Sequence, residues 1–151
     1  MRDTGWKSPS TVVNDDSLEY GFIYWNNEEN AKASNNNYAI ADGDYDRTVY
    51  LKASNFGFEI PSRSLIEGIE VSIERKASDD YAVAGLEEIV KIVKSDGAIG
   101  STDKGVSEYW TTSDKTVFYG GSTDLWGESW EVSDINNSNF GVVLSVLIEN
   151  S

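Results

Sequence analysis

Three aspartates at alternate positions give the chain its most specific candidate for metal chemistry. Asp42, Asp44 and Asp46 stand in the segment ADGDYDR, and this spacing lets one loop direct three carboxylates toward a hard cation such as Ca²⁺. The loop lacks the glycine position and the later bidentate glutamate of an EF-hand, and three oxygens are half of the roughly 6 to 8 that Ca²⁺ takes. The loop is a candidate Ca²⁺ site, for which a solvated acidic turn is the favoured alternative.

A group of aromatic residues in the C-terminal half has the chemistry to stack a sugar ring. Stacking surfaces gain specificity from neighbouring polar groups, and an aspartate lies among these aromatics in the sequence. Aromatic side chains bury about 150 to 250 Å² each, so core packing is the favoured role for most of them. The predicted ligand-binding residues are Tyr119, Asp124, Trp126 and Trp130, with Tyr109 and Trp110 as further aromatics.

Paired carboxylates are a third candidate chemistry, because glycosidases place two carboxyl groups about 5 to 9 Å apart across the bond they cleave. The chain has the pairs Glu87–Glu88 and Asp79–Asp80, but adjacent residues on a strand point to opposite faces. It contains no His and no Cys, which removes the commonest general base, the thiolate nucleophile and Cys-type zinc sites. We therefore predict a protein that is not an enzyme and, apart from the candidate Ca²⁺ loop, has no cofactor.

The charge of the chain limits its partners. With 26 acidic and 12 basic residues the net charge is −14, which repels phosphate groups and anionic lipid surfaces. We therefore predict no nucleic-acid partner and no membrane partner. We also expect no signal peptide and no membrane-spanning segment, because the N-terminal residues lack an apolar core and the longest apolar run, residues 140–147, is interrupted.

The elements that must position these side chains are strands. Val, Ile, Thr, Phe, Tyr and Trp total 50 residues, whereas Ala, Leu and Met total 17 and Gln is absent. Turn-forming Gly, Asn, Asp and Ser are spread along the whole chain, so no linker divides it. We predict one all-β domain over residues 1–151, an antiparallel two-sheet sandwich of jelly-roll-like type, with an N-terminal arm of about 20 residues.

Period-two alternation of apolar and polar residues marks the individual strands. Residues 69–75 alternate strictly and predict a strand with its apolar positions facing the core. Residues 86–94 also match helical spacing, but their β-branched residues and the Asp-Gly turn that follows favour a strand. Residues 56–60 predict a half-buried strand that a proline stops.

Three blocks of the sequence stand in a distinctive order and spacing. They are residues 56–61 with 66–71 (FGFEIP and IEGIEV), 119–127 (YGGSTDLWG) and 134–142 (DINNSNFGV), and residues 4–9 and 50–53 fit the same pattern. Together they resemble the β-sandwich modules of tailed-phage and prophage virion structural proteins. The resemblance carries no catalytic residues.

The resemblance implies a non-enzymatic virion component, such as a capsid decoration, tail or fibre protein. Such a component docks to other virion proteins or to copies of itself, and its place is the virion. The alternative is a module that binds a cell-surface glycan or host receptor through its aromatic and Asn/Asp-rich loops.

The last predicted strand, residues 140–148, is apolar on one face and partly apolar on the other. The resembling modules continue into one more apolar strand, whereas this sequence stops at Ser151. A flat apolar edge without Lys, Arg or Pro is an aggregation hazard, so we expect a cover, either from the N-terminal arm near Val12 and Val13 or, preferably, from a neighbouring subunit. The predicted interface residues are Phe140, Val143, Ser145 and Leu147.

Overall fold

The computed structural model describes residues 3–78 and 82–150, which form seven strands and two short helices. The strands are β1 (Thr11–Asp15), β2 (Asp46–Arg47), β3 (Tyr50–Ser54), β4 (Ile69–Arg75), β5 (Ala82–Val93), β6 (Lys115–Gly121) and β7 (Gly141–Asn150). A 3₁₀ helix spans Glu28–Lys32, and the α-helix α1 spans Val132–Asn136. Neither of these five-residue helices is long enough to cross a membrane.

The strands form two antiparallel sheets that face each other across a shared core. In the larger sheet β1 pairs with β3, β3 and β2 follow one another along one edge of β7, and β5 pairs with the opposite edge. The smaller sheet is the pair β4–β6. Val90, Leu144 and Val146 from the larger sheet pack with Tyr119 from the smaller one. The prediction of an all-β, antiparallel two-sheet sandwich is confirmed.

Of the three strands predicted at residues 69–75, 86–94 and 56–60, two are present and one is not. The range 69–75 is β4, and residues 86–93 lie in β5. The strand predicted at residues 56–60 is wrong, because Asn55 and Gly57 have φ angles of 59° and 71° that interrupt an extended chain. Phe58 and Ile60 still pack against the core. The alternation therefore indicates which side chains are buried, although the segment is not a strand.

The strand predicted to leave an open edge at the C-terminal end of the sequence is central instead. Because β7 pairs with β2 and β3 on one edge and with β5 on the other, the predicted open edge is wrong, and so is its cover by the N-terminal arm. The arm forms β1, which pairs with β3. A strand that is apolar on both faces is typical of a sheet centre. The four residues predicted for an interface are buried, or half-buried for Leu147, within this chain's own fold: Phe140, Val143, Ser145 and Leu147.

A β-bulge in β5 sets the direction of its acidic side chains. Leu86 pairs with Leu147 and Ile89 with Ser145, so β5 carries one residue more than β7 across this step. Glu87 has a φ of 51° at the bulge and its side chain is 68% exposed, whereas Glu88 points into the space between the sheets. The two carboxylates therefore lie on opposite sides, as expected from adjacent strand positions.

Candidate functional site

Glu88 is the central acceptor of a buried polar network between the two sheets. Its Oε1 accepts a hydrogen bond from the Tyr119 hydroxyl (2.5 Å), and its Oε2 accepts one from the Trp110 indole (3.2 Å). Its Oε2 also lies 3.2 Å from Nε of Arg75, and these two side chains are 0% and 1% exposed. Burial, together with the bond to Glu88, raises the pKa of Tyr119. We call these residues, together with Glu108, the Glu88 network. Tyr119 is buried within it and has no surface for a ligand, so the prediction that Tyr119 binds a ligand is wrong.

The Glu88 network reaches the surface through Arg75. Its Nη2 donates to Oε1 of Glu108 (2.8 Å), which also accepts a bond from Lys115 (3.3 Å). The guanidinium lies over the Trp110 ring, 5.2 Å from its centroid, and its Nε and Nη1 have no hydrogen-bond partner among the described residues, although Nε lies within ion-pair distance of Glu88. The buried charges of Arg75 and Glu88 face each other, and Arg75 also pairs with Glu108, which is the arrangement of a structural element.

Glu108, the exposed end of this network, gives a pH-dependent prediction. Hydrogen bonds from Arg75 and Lys115 lower its pKa, so the carboxylate stabilises the fold above its unfolded pKa, and this contribution is lost as the pH falls through the folded pKa. We expect Glu108→Gln to cost about 1 kcal/mol or less at about pH 7, since the side chain is 44% exposed. At about pH 2 the difference from wild type should vanish. Urea unfolding at both pH values measures it, and an unchanged difference would contradict the pairing.

Trp126 is buried in the core and is not a stacking platform, so the prediction for this residue is also wrong. Its indole Nε1 donates to the carbonyl of Ile69 (2.9 Å), and its backbone N–H donates to Oδ1 of Asp124 (2.8 Å). Asp124 in turn pairs with Lys104 (2.7 Å). A Cβ on Gly120, which has a φ of 76°, would lie 2.6 Å from Nε1 of Trp126. Glycine at position 120 therefore makes room for the buried indole.

The sequence blocks that carry the resemblance contact one another in the folded chain. The Asn136 amide donates to the carbonyl of Ile60 (3.0 Å) and accepts from its N–H (2.9 Å), which joins the third block to the first. Phe58 meets Phe140 edge-on, with ring centroids 6.2 Å apart. The Trp126 bond to Ile69 joins the second block to the first. These residues hold the architecture together.

The aspartates predicted as Ca²⁺ ligands do not form a cluster. Within residues 3–78 and 82–150, no group of three acidic side chains is arranged to hold a metal ion. Oδ1 of Asp46 accepts the N–H of Arg47 (2.9 Å), and a Cβ on Gly43 would lie 2.5 Å from Cδ1 of Ile23, so the loop packs on that residue. Ca²⁺ binding stays a prediction. The pair Asp79–Asp80 lies outside the described residues.

Three aromatic side chains at alternate positions form an exposed row that the sequence reading missed. Tyr20, Phe22 and Tyr24, which we call the aromatic row, are 57%, 64% and 54% exposed. The N–H of Phe22 donates to the carbonyl of Arg47 (2.8 Å), which fixes the segment beside the larger sheet. The intervening side chains of Ile23 and Trp25 pack into the core, so the row faces outward.

The surroundings of the aromatic row are acidic. The Tyr24 hydroxyl donates to Oδ2 of Asp16 (3.3 Å), and the charge of Asp16 raises the pKa of Tyr24. The loop with Asp42 and Asp44 packs on Ile23, in the middle of the same segment. The guanidinium of Arg47 lies 5.9 Å from the Tyr20 ring centroid, so a cation already sits on this aromatic surface.

Trp130 differs from the other predicted ligand-binding aromatics because it lies at the surface. It is half-buried and lines two clefts of about 480 and 160 Å³. The larger, which we call the Trp130 cleft, is lined also by Ser62, Ser64, Leu65 and Ser133. Of the four predicted ligand-binding residues, Trp130 alone lines these clefts.

The chain matches no protein-family model, no curated protein and no solved structure.

Proposed function

We propose that the chain is a non-enzymatic docking module that attaches to another protein through the aromatic row. Contiguous exposed apolar surface on a soluble domain marks an interaction site, and aromatic residues are enriched among those that dominate binding energy. The observation that carries the proposal is the exposure of three alternating aromatics on a segment hydrogen-bonded to the sheet. A surface whose backbone is already fixed loses little entropy on binding.

The proposed setting is a phage or prophage virion, in which the chain serves as a capsid decoration, tail or fibre component. The support for this setting is the resemblance of residues 56–61, 119–127 and 134–142 to such modules. Because these blocks pack against one another, the likeness is one of architecture, and the docking function rests on the surface.

The proposed partner is a virion protein that presents Lys or Arg side chains. Cations pack on the faces of Tyr and Phe, as Arg47 does on Tyr20, and they pair with carboxylates such as Asp16 at the edge of the row. A second copy would bring the same acidic surface and another net charge of −14, so self-repulsion disfavours it. Charge complementarity thus favours a cationic partner.

Incorporation of a tagged chain into virus particles tests the proposal. Particles made by the cells that encode the chain are purified on a density gradient, and the wild-type chain should co-purify. Phe22→Ser with Tyr24→Ser should reduce incorporation at least tenfold, because the loss of a binding hot spot costs about 2 kcal/mol or more. Phe118→Ser is the matched control, since Phe118 is 57% exposed on β6, outside the row.

The outcomes separate the parts of the proposal. Absence of the wild-type chain from particles would refute the virion setting. Incorporation of the double variant at the wild-type level would show that the docking surface lies elsewhere. Sedimentation of the purified chain tests the alternative partner, a second copy of the chain. A dimer that dissociates in the double variant would show that the aromatic row binds a second copy and not a cationic protein.

A further inference from the structure

The Trp130 side chain is held in one orientation at a surface cleft. Its indole Nε1 donates to the carbonyl of Leu125 (2.8 Å), and its ring meets Phe140 edge-on at 5.6 Å with an interplanar angle of 83°. It also lines the Trp130 cleft. An aromatic ring fixed in this way is a preorganised stacking surface. We infer that the Trp130 cleft binds a neutral saccharide.

One wall of the cleft, formed by α1, is fixed as well, because hydrogen bonds join this helix to two other segments of the chain. On one side the Asn136 amide makes two hydrogen bonds to the backbone of Ile60, at 2.9 and 3.0 Å. Oδ1 of Asp134 accepts the Ser95 hydroxyl, which joins α1 to the turn after β5, and its Oδ2 accepts the N–H of Glu131 at the start of the helix, each at 2.8 Å. The α1 wall of the cleft therefore does not have to be ordered by a ligand.

The lining of the cleft has the chemistry that a sugar needs. The hydroxyls of Ser62, Ser64 and Ser133 are exposed and make no side-chain hydrogen bond within the described residues, so each can donate to and accept from a sugar hydroxyl. Trp130 and Leu65, which is 79% exposed, offer apolar surface to the C–H face of a pyranose ring. A volume of about 480 Å³ lies within the range of small-molecule sites.

The charged side chains that line the two clefts favour a neutral ligand. Glu131 lines the Trp130 cleft, and Asp96 and Asp134 line the smaller cleft, which shares Trp130. Lys94, the basic residue lining that smaller cleft, lies 3.9 Å from Glu128, so its charge is partly compensated. Carboxylated or phosphorylated sugars would meet this acidic surface and the net charge of −14. The site is separate from the docking surface, because the cleft and the aromatic row share no residue.

Titration with three neutral disaccharides tests the inference. Cellobiose, maltose and N,N′-diacetylchitobiose are added to the full ¹⁵N-labelled chain up to about 10 mM, which nearly saturates a site with a Kd of about 1 mM. At least one sugar should shift the Trp130 indole signal and the amides of residues 62–64 saturably, while sialyllactose should not. Calorimetry should show at least a tenfold loss of affinity in Trp130→Ala and at least a threefold loss in Ser62→Ala with Ser64→Ala. Trp6→Ala, which removes an exposed tryptophan elsewhere, should bind like the wild type.

Several outcomes would overturn the inference. These are the absence of a saturable shift with all three sugars, wild-type affinity in Trp130→Ala, and tighter binding of sialyllactose than of every neutral sugar. If Trp130→Ala does not fold, Trp130→Phe replaces it, because it keeps an aromatic ring against Phe140. The affinity of the variant Ser62→Ala with Ser64→Ala then tests the inference, and wild-type affinity in that variant would overturn it.

Discussion

Replacement of Glu88 by Gln is expected to lower the free energy of unfolding by about 3 to 5 kcal/mol, the usual cost of removing one partner of a buried ion pair. The glutamine leaves the Arg75 charge without its buried counterion, and both side chains are at most 1% exposed. It also replaces the carboxylate that accepts bonds from Tyr119 and Trp110. Denaturant unfolding of the two proteins measures the difference.

The neighbouring glutamate provides the matched control. Glu87→Gln removes the same charge one residue away, but the Glu87 side chain is 68% exposed and lies 3.8 Å from Arg47, so the cost should stay below about 0.5 kcal/mol. The double variant Glu88→Leu with Arg75→Met should recover stability relative to Glu88→Gln, because no buried charge is left unpaired. Equal unfolding midpoints for Glu88→Gln and Glu87→Gln would show that the Glu88 network does not hold the sheets together.

The second large effect is expected in the smaller sheet. Val71→Asp should destabilise the fold by about 3 kcal/mol or more, because it places an unpaired charge against the core. Val71 packs on the inter-sheet core from the middle of β4, opposite Tyr119 in the β6 register. Thermal melts should show a large drop in Tm or no folded baseline.

Ser72→Asp is the control for this register. It adds the same carboxylate one position along β4, where the side chain is exposed opposite Phe118, and it should leave the Tm nearly unchanged. Similar melts for the two aspartate variants would mean that β4 does not present this face to the larger sheet.

Alternation in the sequence predicts part of the buried network. The inward positions of β4 are 69, 71 and 73, and the same period places Arg75 toward the core, where the structure has it. This period is the signal that identifies a buried charge at the end of the strand. Its partner Glu88 was harder to predict, because the bulge at Glu87 changes which residues of β5 face the core. The local sequence does not show where such an extra residue is accommodated.

The position of β7 could not be predicted because order along the chain does not fix order in a sheet. Its apolar residues on both faces fit a central strand as well as a covered edge, and pairing with β3 and β5 decides between them. The aromatic row could not be predicted from the sequence for a related reason. Residues 22–25 are apolar or aromatic at every position, so only tertiary contacts decide that Ile23 and Trp25 turn inward.

Residue type alone also could not separate the three aromatics predicted for ligand binding. Tyr119 and Trp126 are buried because Glu88 and the carbonyl of Ile69 accept their polar hydrogens across the core. Trp130 satisfies its N–H within its own loop, five residues back at Leu125, and so can remain at the surface. Burial of an aromatic with a polar group depends on a distant acceptor, which the sequence does not display.

Hydroxyl-radical footprinting of the chain, free in solution and attached to purified particles, tests the docking proposal most directly. The account predicts that Tyr20, Phe22 and Tyr24 are oxidised in the free chain and protected on the particle. Tyr109 and Phe118, which are 55% and 57% exposed, should be oxidised equally in both. An aromatic row that stays as reactive on the particle as in solution would contradict the account.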